Sequence, residues 1–179
     1  MKCRCSLSLL MFLGLLGCSR QQSRPNEQSH SSTSPSIAPG EIGSHLPEFE
    51  MKDLRGDQIS SRALRGKVVL VDIWATWCQP CRKEMPGYQK LLDRYGPQGL
   101  VVIGLKSNMM MDTEDPMQFA RGIGVHYPLV SASGELIERF CRLEGLPTTM
   151  VYDRQGILRK KVIGFDYAES FESTLKPFL

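Results

Sequence analysis

The sequence is short of most features that assign a protein quickly. Its longest apolar stretch, Leu7 to Leu16, runs ten residues, whereas a membrane-crossing helix needs about 20, so a polytopic membrane protein is excluded. Six cysteines in 179 residues are too few to staple a disulfide mini-protein. There is no Gly-x-Gly-x-x-Gly segment to cradle a dinucleotide, and no internal repeat. A surplus of charge is missing from the body of the chain. The net +3 lies in residues 1–40 (Lys2, Arg4, Arg20 and Arg24 against Glu27), while residues 41–179 carry 18 basic and 18 acidic side chains. That balance gives no basic surface for nucleic acid. With 41% hydrophobic and 23% charged residues the chain has the composition of one soluble domain, not of a disordered polymer.

What is present begins with an address. Lys2 and Arg4 precede the apolar run, which ends in Leu15-Leu16-Gly17-Cys18. This ending resembles the lipobox of bacterial lipoprotein signal peptides, with Leu16 bulkier than the residue most often found at its position. The resemblance implies that residues 1–17 are a signal peptide, that Cys3 and Cys5 leave with it, and that Cys18 carries the lipid. The alternative is ordinary secretion with Cys18 as a free thiol; either way the mature protein leaves the cytoplasm. Lipidated, it is held at a bacterial membrane facing the periplasm or extracytoplasmic side, and Ser19 resembles an outer-membrane signal. Residues 18–40 then read as the anchor and a flexible linker, with seven serines, three prolines and three glutamines after Cys18. Too little of that stretch is apolar to offset its ordering entropy, and as a coil it spans about 25 Å.

Residues 41–179 read as the folded domain. Gln58-Ile59-Ser60 is a weak edge strand after a Gly56-Asp57 turn. Val68 to Trp74 is a nearly continuous β-branched and aromatic run, as a strand buried on both faces requires. Cys81, Met85, Tyr88, Leu92 and Tyr95 then recur at helical spacing, and Gly96-Pro97 and Gly99 close the helix. Leu100 to Leu105 is a second buried strand, which makes a βαβ unit with a parallel pair. Helices are expected over 114–124, 134–143 and 167–175. Thr149–Tyr152 and Ile157–Ile163 flank an Asp153-Gly156 turn as an antiparallel hairpin. The sum is an α/β fold, a central mixed sheet with helices on both faces.

Trp77-Cys78-Gln79-Pro80-Cys81 lies between the first buried strand and its helix. Two cysteines three apart are also half of a zinc site, but the other candidate ligands, His45, His126 and Cys141, are isolated, so no metal is expected there. A CxxC beside a βαβ unit points to redox chemistry. A cysteine opening a helix meets unpaired N–H groups and the positive end of the helix dipole, which favour the attacking thiolate. Cys78 is therefore the expected exposed nucleophile, and Cys81, one turn later, the inward resolving thiol. Trp77 beside it offers shielding and a contact surface, and Pro80 suits the first helical turn.

The segment DIWATWCQPC resembles the thioredoxin superfamily, and the wider frame its exported TlpA/ResA-like thiol–disulfide oxidoreductases. Pro86 and Gly145-Leu146-Pro147-Thr148-Thr149 extend that likeness. The resemblance implies a thioredoxin fold over 41–179, a cis peptide bond before Pro147, and a Leu146 backbone free to pair with a substrate strand. Asp72, six residues before Cys78, falls at the family's buried aspartate, which moves the proton of the second cysteine. Glu84, three residues after Cys81, falls at a glutamate that tunes the pair; a solvated helix residue is the plain alternative.

Other residues are set aside. Cys141 reads as a buried small hydrophobe. Met109-Met110-Met111 with Met117 and His126 reads as packing in preference to a soft copper site. Lys106 follows the second strand but is about one residue out of register with the family's lysine. The expected activity is reduction of protein disulfides by the Cys78/Cys81 dithiol through a Cys78 mixed disulfide, without a cofactor. The family implies a membrane thiol-transfer protein as electron donor and an apocytochrome c as one client, the chain acting as a monomer. A disulfide-forming oxidase of the same fold and a copper-binding module on the same cysteines stay open as rivals. A thiol peroxidase is disfavoured because the Pro-x-x-x-Thr-x-x-Cys arrangement is absent.

Overall fold

The computed structural model describes residues 37–108 and 114–179. Cys18, the leader and Met109-Met110-Met111 lie outside the described residues.

Strand β3 (Val68–Trp74) is buried along its whole length, because it is the middle of a five-stranded sheet covered on both faces. Its neighbours are β4 (Leu100–Ser107), parallel, and β6 (Thr148–Tyr152), antiparallel. The edges are β5 (Leu129–Ala132), parallel to β4, and β7 (Leu158–Ile163), antiparallel to β6. The order is β5-β4-β3-β6-β7, the expected mixed sheet. Alternation along β3 divides the core. Leu70 and Trp74 pack with helices α1 (Gln79–Tyr95), α2 (Pro116–Gly122) and α4 (Ala168–Leu175) on one face. Val69, Val71 and Ile73 pack on the other with α3 (Gly134–Phe140). Within α1 the buried stripe runs Cys81, Met85, Tyr88, Leu91 and Tyr95, so Leu91 takes the place expected for Leu92.

Two strands lie outside the sequence expectations, β5 and the three-residue β1 (Glu50–Lys52), which pairs with β2 (Gln58–Ser60) as a separate hairpin. Lys106 sits inside β4, not after it, and is buried. Cys141 caps α3 in an extended conformation and is fully buried. Burial pushes its thiol pKa up, the direction that makes it unreactive. Gly40 packs directly on it at φ +78°, where a Cβ would come within 2.3 Å of the Cys141 Cβ. Gly40, the last residue of the expected linker, is thus part of the packed structure.

Candidate active site

The register brings three segments to one end of the sheet. Ile73 pairs with Thr148, and Asp72 faces Thr149 on one side and Gly104 on the other. The C-terminal end of β3, which leads to Cys78, therefore lies beside Pro147 at the start of β6. The Leu146–Pro147 bond is cis, as expected. Among the described residues neither the N–H nor the carbonyl of Leu146 makes a hydrogen bond, although the chain is fixed on either side of it. Thr148 Oγ1 donates to the Gly145 carbonyl at 2.7 Å and the Gly164 N–H donates to the Pro147 carbonyl at 2.8 Å. Leu146 is half-buried and Pro147 buried.

Cys78 and Cys81 form a disulfide, their Cα atoms 5.3 Å apart. Cys78 is the N-cap of α1, and its Sγ accepts the Cys81 N–H at 3.3 Å. The sulfur thus occupies the place of a capping oxygen, where helix N–H groups and the dipole favour negative charge. The expected exposure of Cys78 is corrected: it is 3% exposed and Cys81 0%. Turning the sulfur under the helix end to meet the N–H takes it out of solvent and into the apolar layer beneath α1. Trp77, next to it, is 48% exposed, and Pro80 is exposed.

Both predicted carboxyls are buried. Asp72 (1% exposed) lies between Leu70 and Trp74 on the α1 face of β3, the same side as Cys81. Its Oδ1 has no hydrogen-bond partner among the described residues, and its Oδ2 lies 3.5 Å from the Tyr127 hydroxyl. Burial pushes its pKa well above the usual aspartate range, the Glu84 charge pushes the same way, and Tyr127 pulls against both. Glu84 is buried as well, not a solvated helix residue. The Tyr88 hydroxyl donates to its Oε1, as does Thr149 Oγ1 at 2.9 Å, and the Asp166 N–H donates to its Oε2 at 3.2 Å. Burial raises the Glu84 pKa, while these three donors lower it by stabilising the anion. The two acids thus differ in kind: Glu84 is solvated by protein groups, and Asp72 is nearly bare.

Several site residues went unread in the sequence. Arg82 donates to the Thr76 carbonyl at 3.1 Å, pairs with Glu114 at 2.6 Å, and lies 4.6 Å over the ring of Phe119, which itself stacks on Trp74. Its charge is paired with Glu114. Ile163, Phe165 and Tyr167 are exposed hydrophobics, with Ile163 paired to Thr148 and Phe165 against Tyr167. Ile163, and Gly164 through its bond to the Pro147 carbonyl, bring this end of β7 beside the Leu146–Pro147 segment, and exposed apolar surface is the kind that marks a protein contact. Tyr88 appeared only as a member of an apolar stripe; the signal was that a buried tyrosine hydroxyl needs a partner. No group of three or more His, Cys, Asp or Glu among the described residues is placed to hold a metal ion.

Comparison with known proteins agrees with this geometry. Residues 42–161 match the model of the AhpC/TSA family. The chain is 32% identical over 137 residues to the thiol-disulfide oxidoreductase ResA of Bacillus thuringiensis (strain Al Hakam), covering 76% of this chain and 78% of that one. It is 31% identical over 135 residues to the thioredoxin-like protein YneN of Bacillus subtilis (strain 168), covering 74% and 78%. Among solved structures it is similar to a thiol:disulfide interchange protein of the thioredoxin family from Chlorobium tepidum TLS. That likeness has a TM-score of 0.69 and 26% identity, over 77% of this chain and 97% of that one.

Proposed function

The chain belongs to the AhpC/TSA family and is a thiol–disulfide oxidoreductase of thioredoxin fold, and on that premise we propose that it works as a reductase of protein disulfides, exported and held at a membrane. In the reduced protein the Cys78 thiolate attacks one sulfur of a client disulfide. A Cys78–client bond forms, the client's own S–S bond breaks, and the other client sulfur leaves as thiolate. Cys81 then gives its proton to the Asp72 carboxylate and attacks Cys78 Sγ. The Cys78–Cys81 disulfide closes and the second client sulfur leaves as thiolate. Two electrons have passed to the client, and an external dithiol, for which a membrane thiol-transfer protein is the family's candidate, returns them. A client segment lying extended along Leu146 pairs with its free backbone groups, while Trp77, Ile163 and Phe165 contact client side chains.

One observation supports the direction of transfer: two buried acids share the α1 face of the sheet with Cys81. Asp72 and Glu84 stand on the side of Cys81, Gln79-Pro80 between the cysteines is uncharged, and the Arg82 charge is taken by Glu114. Negative neighbours disfavour the thiolate, and a dithiol whose ionised form is not stabilised is the more reducing. Equilibrating the pair against dithiothreitol or glutathione buffers should give a potential below about −200 mV, toward the value near −270 mV of thioredoxin. A potential near −120 mV would make the protein an oxidant and sink the reading.

For the membrane, the supporting feature is the Leu15-Leu16-Gly17-Cys18 ending followed by a polar linker. No helix among the described residues is long and apolar enough to cross a membrane. Expressed in a bacterium supplied with labelled palmitate, the chain should take up label and Cys18→Ala should not. Equal labelling of both would remove Cys18 as the anchor. The family likeness supports an apocytochrome c as one client.

A further inference from the structure

Asp72 needs a way to ionise in a place that opposes ionisation, and the structure supplies one from a distant part of the chain. We infer that Tyr127 is a positioning residue for the reaction, its hydroxyl reaching the Asp72 carboxyl through the space left by Gly104 and stabilising the carboxylate. The inference rests on Asp72 being the proton acceptor of Cys81.

Gly104 faces Asp72 across the β3–β4 ladder. A Cβ at 104 would come within 2.6 Å of Leu129 Cδ2, 2.9 Å of Trp74 Nε1 and 3.2 Å of Tyr127 Cε2. The tyrosine ring therefore occupies, beside the carboxyl, room that any other residue at 104 would claim. Its backbone is held from two directions. The His126 and Tyr127 N–H groups donate to Gln89 Oε1 of α1 at 2.8 and 3.2 Å, and the Gly104 N–H donates to the Pro128 carbonyl at 2.9 Å. Tyr127 is 2% exposed, and among the described residues its hydroxyl bonds only to Asp72 Oδ2. Burial and the Asp72 charge both push the Tyr127 pKa up, so the group stays a donor.

The other groups around Asp72 do not do this work. Glu84 and Tyr88 of α1 are bonded to each other. Cys81 is the proton's source. Thr149 on β6 donates to Glu84, and Lys106, two residues beyond Gly104, directs Nζ to Asn108 Oδ1 at 3.2 Å. At 3.5 Å the Tyr127–Asp72 contact is slack for an O–H donor. When Asp72 ionises, the contact draws in toward the charge-assisted length of about 2.5–2.7 Å. The stabilisation is thus greatest in the ionised acid that waits to accept the Cys81 proton, and it falls away as the proton arrives.

The test is the pH profile of client disulfide reduction by the full chain, for wild type, Tyr127→Phe, Asp72→Asn and the double variant. Phenylalanine keeps the ring and removes only the hydroxyl. Tyr127→Phe should move the Asp72-dependent limb upward by about half to one pH unit and slow turnover about 3–10-fold below the midpoint. Asp72→Asn should remove that limb, and the double variant should have the profile of Asp72→Asn alone. A carbon-13 titration of the Asp72 carboxyl in the oxidised protein should show the same upward shift in Tyr127→Phe. If Asp72→Asn removes the limb but Tyr127→Phe leaves profile and titration unmoved, Tyr127 only packs and the inference is overturned while the role of Asp72 stands. If the limb survives Asp72→Asn, the reading of Asp72 fails and this inference fails with it.

Discussion

Replacing Cys81 by serine should abolish steady-state disulfide reduction, by about 10³-fold or more, while leaving the first chemical step intact. Cys78 would still attack a client disulfide, but nothing would then displace the client from it. A covalent adduct should accumulate on a non-reducing gel, one client per chain, and dissolve on adding a small dithiol. Cys78→Ser should lose turnover equally and form no such adduct. The difference follows from where α1 begins. Cys78 occupies the N-cap, with its sulfur on the Cys81 N–H, whereas Cys81 lies inside the first turn at 0% exposure. Both sulfurs are buried in the disulfide form, at 3% and 0% exposure, and it is Cys78, at the N-cap, whose thiolate the helix end favours. Cys141, fully buried under Gly40 with a thiol held protonated by burial, should not substitute for either. An adduct on Cys78→Ser in place of Cys81→Ser would reverse the order of attack.

The parts of this site that could be read in advance are those whose physics is local in the chain. A buried strand, a helix start and a cysteine at that start fall within Val68–Cys81, so the run of β-branched residues and the CxxC spacing carry both position and chemistry. Asp72 stood out because a charge in the middle of such a run has a desolvation cost that needs a reason. Glu84 was ambiguous, since one helical turn past Cys81 a residue can face either way. Its burial is decided by Thr149, 65 residues away, and by the Asp166 N–H, 82 residues away. Tyr127 was invisible for the same reason, 55 residues from its partner. In the fold, β5 was lost because Leu129–Ala132 is too short to show a period and exists through its pairing with β4. Of the first hairpin the Gly56-Asp57 turn and Gln58–Ser60 are legible and the strand before them is not, although its turn is written like the second. Asp53 takes the N–H groups of Arg55 and Asp57 just as Asp153 takes those of Gln155 and Ile157, and Gly56 and Gly156 both have positive φ. The second hairpin is legible whole because β-rich runs flank its turn on both sides. Glu50–Lys52 gives the first no such flank.

Asp72→Asn should make the protein more stable and slower. A carboxyl whose folded pKa lies above its unfolded value favours folding only while protonated. For Asp72 the wild type therefore bears no penalty below the ordinary aspartate value near 3.8. As pH rises past that value the unfolded chain ionises freely while the folded one resists, and stability falls until pH exceeds the raised folded value, then levels off. Asparagine removes the titration and the repulsion from Glu84. Urea midpoints of the two proteins should coincide near pH 3 and separate as pH rises, with the variant ahead by about 1–4 kcal/mol at pH 8. Over the same range resolution of the mixed disulfide should slow by about 10²-fold or more, because Cys81 has lost its proton acceptor. Both effects have one cause, a carboxyl left nearly unsolvated on the Cys81 side of the sheet. Glu84, with its three donors, should behave differently: Glu84→Gln leaves a neutral amide among groups arranged for an anion and gives no comparable gain in stability. A variant Asp72→Asn that lost stability at pH 8 would mean that the carboxylate is solvated in the folded protein, and the proton relay through Cys81 would lose its driving force.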